Sequence, residues 1–91
     1  VSAQDITRDV TAALTRAITA GATSAFARLM AGEKGLAPES IRDGVMAAFG
    51  NLDPKVAGRS VLTPRARTSL GDALSVLAYN VGAAMANREP V

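Results

Sequence analysis

Apolar residues recur at every fourth position across the first third of the chain. Ile6, Val10, Leu14 and Ile18 stand at i+4, and Ala22, Phe26 and Met30 continue the phase. Beside them run a threonine ladder, Thr7, Thr11, Thr15, Thr19 and Thr23, and a small-residue ladder, Ala13, Ala17, Gly21 and Ala25. Residues four apart share one face of a helix, so the spacing predicts a helix over about 3–31. Strict fours constrain more than that. Each step turns about 400°, so a ridge drifts roughly 40° per repeat on a helix of 3.6 residues per turn. Such a helix cannot bury one straight stripe. It must cross its partners obliquely, bend, or be wrapped by more than one neighbour.

The helix start is marked by Ser2, which can cap the free amides, with Asp5 three residues on in a capping-box-like pattern. Gly32-Glu33-Lys34-Gly35 reads as a turn. Thr19-Ala20-Gly21-Ala22-Thr23-Ser24 is rich in poor helix formers, which predicts a kink or split near Gly21. Pro38 and Glu39 suit the first turn of a short helix over about 38–49, whose apolar face is Ile41, Val45, Ala48 and Phe49, with Gly50 as terminator. Asp53-Pro54 resembles the cap and first residue of a helical turn over about 54–58. Thr63-Pro64 repeats the signature and opens a second long helix, about 64–87, with an apolar stripe of Leu70, Leu74, Leu77, Val81 and Met85. Arg59 to Thr63 could be extended but is too short to build a sheet. The expected fold is all-α: one small helical domain, 1–91, of two obliquely packed long helices with a short helix and a helical turn between them.

Ala78, Gly82 and Ala86 form a small-residue ladder on the last helix that answers Ala13, Ala17, Gly21 and Ala25 on the first. Matched i±4 ridges favour an oblique crossing near −50°. The long helices are therefore expected to pair as an antiparallel hairpin or across a subunit boundary, and these seven residues are the candidate self-association surface. The threonines bond back to i−4 carbonyls and form a semi-exposed face, or line a semi-polar helix contact. Arg8, Asp9, Arg16 and Arg28 on the same helix oppose a lipid setting. Val76, Tyr79 and Ala83 lie opposite the Leu74/Leu77/Val81 stripe. They are either covered by the 38–49 helix or serve as a partner contact with Tyr79 as an amphipathic anchor.

Charge is uneven along the chain. Lys55, Arg59, Arg65 and Arg67 fall between Pro54 and Gly71 with no anion, while the remainder holds six cations and eight anions. Arg65 and Arg67 occupy a helix start, where cations oppose the dipole. With Thr68 and Ser69 they make a candidate site for an anion or an acidic partner, using free amides at the helix start and the Thr63 hydroxyl. The bland alternative is a solvated loop whose arginines pair loosely with Asp53 or Asp72. Nucleic acid is a weaker match, because aromatic stacking residues are missing near the segment and the net charge is only +2.

Composition narrows the function. The 91 residues hold no cysteine and no histidine. Disulfides, thiolate metal sites and imidazole acid–base chemistry are thereby excluded from this stretch. The carboxylates Asp5, Asp9, Glu39, Asp43 and Asp53 read as helix starts and caps, and no glycine-rich phosphate loop occurs. No enzyme activity, cofactor or metal is expected. No apolar run reaches the roughly 18 residues of a membrane span. The opening Val1-Ser2-Ala3-Gln4-Asp5 lacks the basic start and apolar run of a signal peptide, and the compartment stays open with the cytoplasm favoured. Aromatics are only Phe26, Phe49 and Tyr79, so small side chains and close backbone approach must replace bulk. A chain this short with such a core gains from association. The expected function is a non-enzymatic helical interaction or assembly subunit, a homo-oligomer or part of a larger protein assembly. A small basic nucleic-acid-binding regulator is the alternative, and a membrane-associated or filament subunit the third reading.

Overall fold

The computed structural model describes residues 2–50, 55–56 and 59–88, with the backbone alone at 55–56 and 59–60. Helix α1 spans Ala3–Met30, a 3-10 turn at Pro38–Ile41 leads into α2 at Arg42–Phe49, and α3 spans Pro64–Arg88. Between α2 and α3 two minimal strands, β1 (Lys55–Val56) and β2 (Arg59–Ser60), pair antiparallel, Lys55 opposite Ser60 and Val56 opposite Arg59. The all-α architecture is as expected, and the helix limits fall within a residue or so of the sequence reading.

The helix ends follow local chemistry. Ser2 Oγ accepts from the Asp5 amide at 3.1 Å, and Thr63 Oγ1 accepts from the Ala66 amide at 3.0 Å, so each long helix has a hydroxyl cap. At the other end of α1, Glu33 N–H donates to Arg28 O and Gly32 N–H to Leu29 O, both at 3.0 Å. Gly32 holds φ +81°. This is a Schellman stop, which places glycine in the left-handed region. Arg28 then locks the turn. Its guanidinium donates to both Glu33 carboxylate oxygens, at 2.9 and 2.7 Å, and to Ser40 O at 3.2 Å.

Three expectations give way. Helix α1 does not split at Gly21; it runs unbroken from Ala3 to Met30. A Cβ on Gly21 would lie 2.6 Å from Val45 Cγ2 and 2.7 Å from Ala78 Cβ, so its bareness serves close packing, and tertiary contact overrides its poor propensity. The long helices do not form an antiparallel hairpin. Gly21 meets Ala78, and Ala25 meets the Gly82 position, so both numbers rise together and α1 and α3 run parallel. Helix α2 is the returning element: Arg16 reaches Ala48 O while Gly21 meets Val45. Finally, Lys55–Val56 is strand where a helical turn was expected; Asp53, Pro54, Ala57 and Gly58 lie outside the described residues. An isolated helical turn carries its full nucleation cost, whereas a two-strand ladder pairs its backbone groups directly.

The core is narrow. Its buried apolar residues are Ala13, Ala17, Ala22 and Ala25 of α1, Ile41 of the 3-10 turn, Val45 and Phe49 of α2, and Leu74 and Ala78 of α3. The long helices thus contribute mostly alanine, and the turn with α2 supplies most of the bulk that fills the groove between them. Buried Ser75 donates its hydroxyl to Gly71 O at 2.7 Å, so no polar cost is left there.

Candidate interaction surfaces

The small-residue ladders are spent inside the chain. Ala13, Ala17, Gly21, Ala25, Ala78 and Gly82 are buried, and Ala86 is half-buried. A Cβ on Gly82 would sit 2.6 Å from Ala22 O, 2.8 Å from Ala25 Cβ and 3.0 Å from the Phe26 nitrogen. This is backbone-on-backbone approach, and a second molecule cannot reach these atoms while α1 and α3 are together.

The threonine ladder is exposed throughout. Thr7 donates to Ala3 O and Thr15 to Thr11 O, both at 2.9 Å, the back-bonding pattern of solvated helical threonines.

Val76, Tyr79 and Ala83 divide. The Tyr79 hydroxyl donates to Leu36 O at 3.2 Å from a partly buried position, so the turn after α1 covers it. Ala83 is half-buried. Val76 stays exposed on the rim of a cleft of about 190 Å³ with Pro38, Glu39, Arg42, Asp72 and Ser75. That volume falls below the ~300 Å³ at which small-molecule pockets begin. One wall is an ion pair, Arg42 Nε to Asp72 Oδ1 at 2.9 Å, with Arg42 also donating to Thr68 O at 3.3 Å. Asp72 therefore pairs with Arg42 of α2.

The basic segment is only partly drawn together. Arg65 and Ser69 are exposed at the start of α3, and Arg67 is half-buried. The Thr63 hydroxyl already caps an amide there, and the Thr68 hydroxyl donates to Pro64 O at 3.1 Å. Lys55 and Arg59 oppose residues of the β ladder, and their side chains lie outside the described atoms. Among the described residues no three metal-ligating side chains converge, and no helix is long and apolar enough to cross a membrane.

Size decides which sector of α3 faces inward. The Leu70, Leu74, Leu77, Val81 and Met85 stripe is not the buried face of α3. Only Leu74 is buried; Leu77 is 48% exposed, Val81 38% and Met85 48%, with Val76 at 47%. The helix instead turns Gly71, Ser75, Ala78 and Gly82 inward. Close approach needs small residues at the contact, and that requirement decides which face is buried. The signal was present: the Ala78/Gly82/Ala86 ladder and the leucine stripe occupy neighbouring sectors, and only one can face α1 squarely.

Among the described residues the structure is all-α, with three helices and an exposed apolar face on α3. No protein-family profile matches the chain, and neither the curated proteins nor the solved structures give a significant match.

Proposed function

We propose that this chain is a non-enzymatic helical interaction or assembly subunit that self-associates through the outer face of α3. The observation that carries the reading is the inverted dress of that helix, with glycine, serine and alanine inward and Val76, Leu77, Val81 and Met85 about half exposed. Covering each such side chain returns roughly 1 kcal/mol at about 25 cal/mol per Å², a useful gain for a domain whose own core is mostly alanine. The small-residue ladders serve this function indirectly, by holding α1 and α3 together so that α3 is presented as a rigid element.

The test is the molar mass of the purified chain by light scattering, at low and high salt, with and without nuclease. The reading expects an oligomer insensitive to both treatments, since apolar contact is not screened. A monomer under all conditions would sink it. An assembly that dissolves steeply with salt and disappears after nuclease would transfer the assignment to nucleic-acid binding through Arg59, Arg65 and Arg67.

A further inference from the structure

A second periodicity runs along the outer face of α3. Ala66, Leu70, Ala73, Leu77, Asn80 and Ala84 follow each other by alternating steps of four and three. All are exposed except half-buried Leu70. At 100° per residue they lie roughly opposite Gly71 and Gly82, which face α2 and α1. A seven-residue repeat drifts only about 20° per heptad, in the sense that supports a left-handed two-helix seam. From Thr68 to Asn87 the helix has one charged residue, Asp72, and Arg42 engages it on the α2 side.

We infer that a second copy of this chain covers this strip, α3 against α3 in parallel about a twofold axis, with each Asn80 facing the other. The inference rests on the self-association reading and adds the seam and its direction. Charge selects the occupant first. A twofold axis along the seam sets each side chain against itself, so any ionised group would meet its like, and the strip has none. Asn80 fits the same symmetry, because one amide holds both donors and an acceptor and can bond to its own copy. A single polar seam residue of this kind fixes register and partner number in paired helices. A membrane surface would call for lysine or arginine along the apolar face; between Thr68 and Asn87 there is none, and Arg65, Arg67 and Arg88 stand only at its ends. The area agrees. About 33 Å of helix offering half of a ~35 Å circumference gives roughly 580 Å² per copy, or ~1,160 Å² in all, above the ~1,000 Å² expected of a genuine interface and within the weak-pair range below ~1,200 Å². Interfaces of this size include weak and transient pairs, so the pair is sought at high protein concentration.

The cysteine-free chain allows a direct test. Single variants Ala73→Cys, Asn80→Cys and Thr15→Cys, the last on the exposed threonine ladder of α1, are oxidised mildly at about 100 µM, a concentration that populates weak pairs. The wild type is measured alongside by light scattering and by flotation with phosphatidylcholine–phosphatidylserine vesicles. A wild-type dimer, covalent dimers from both Ala73→Cys and Asn80→Cys, and none from Thr15→Cys are expected. Leu77→Glu should then give a monomer with unchanged helical circular dichroism. Oligomers without cross-links at either α3 position overturn the seam while leaving self-association standing. Cross-linking of Asn80→Cys without Ala73→Cys overturns the parallel direction. A wild-type monomer overturns both readings, and a monomer that floats with vesicles assigns the strip to lipid instead.

Discussion

Three glycines of this chain predict three different outcomes for the same substitution. At Gly82 the added methyl would strike Ala22 O and the Phe26 nitrogen, backbone atoms that cannot yield. Gly82→Ala should cost about 1–3 kcal/mol by overpacking despite better helix propensity, read as a lower urea midpoint. At Gly71 the nearest atoms are the ends of the Arg42 and Met46 side chains, both at 2.8 Å. These can swing aside, so Gly71→Ala should fall close to neutral, with the propensity gain of about 1 kcal/mol offsetting the displacement. Gly44 of α2 has nothing within 4 Å of its Cβ position, and Gly44→Ala should stabilise by about 0.5–1 kcal/mol. A single denaturation series over the three variants checks the order Gly44, Gly71, Gly82.

Among the elements, the turn from α1 to α2 depends on the Arg28–Glu33 pair. Hydrogen bonding from Arg28 holds the Glu33 carboxyl below its ordinary range. A depressed carboxylate contributes stability above its unfolded pKa, near 4.3, and that stability is lost as pH falls through the lower folded value. Arg28→Met should therefore flatten the acid limb of a stability–pH profile while leaving the neutral-to-alkaline slope unchanged. The pair is partly solvated, so the effect is modest. The same scale shows where the sequence was legible. Caps and stops act within four residues, so Ser2, Thr63, Pro38 and Gly32 located the helices directly. The direction of α1 relative to α3 was not legible, because it depends on how the segment between them returns. Hydrophobicity alone would bury Leu70, Leu77 and Met85. The contact was decided by size, and the smaller side chains of Gly71, Ala78 and Gly82 won the inner face. The small-residue ladders pack against each other within one chain, a placement that depends on the fold.

For the whole molecule, the parallel pairing makes the principal contact a distant one. Gly21 meets Ala78 and Ala25 meets the Gly82 position, in each case 57 positions apart (78 − 21 and 82 − 25). Helical domains usually fold fast because their contacts are local. This chain should fold more slowly than antiparallel bundles of its size, and stopped-flow refolding checks that rate. If this distant contact forms after the transition state, Gly82→Ala should mainly accelerate unfolding, which the unfolding limb of the same stopped-flow series reads. If the chain pairs, its melting temperature should also rise with concentration. The same parallel geometry has a mechanical reading. Ala3 and Arg88 fall at opposite ends of a body 53 Å long, so a force applied through them runs along the axes of α1 and α3. It would shear the alanine–glycine seam lengthwise, loading every interlocked turn at once, whereas an antiparallel hairpin pulled at its adjacent ends would unzip one turn at a time.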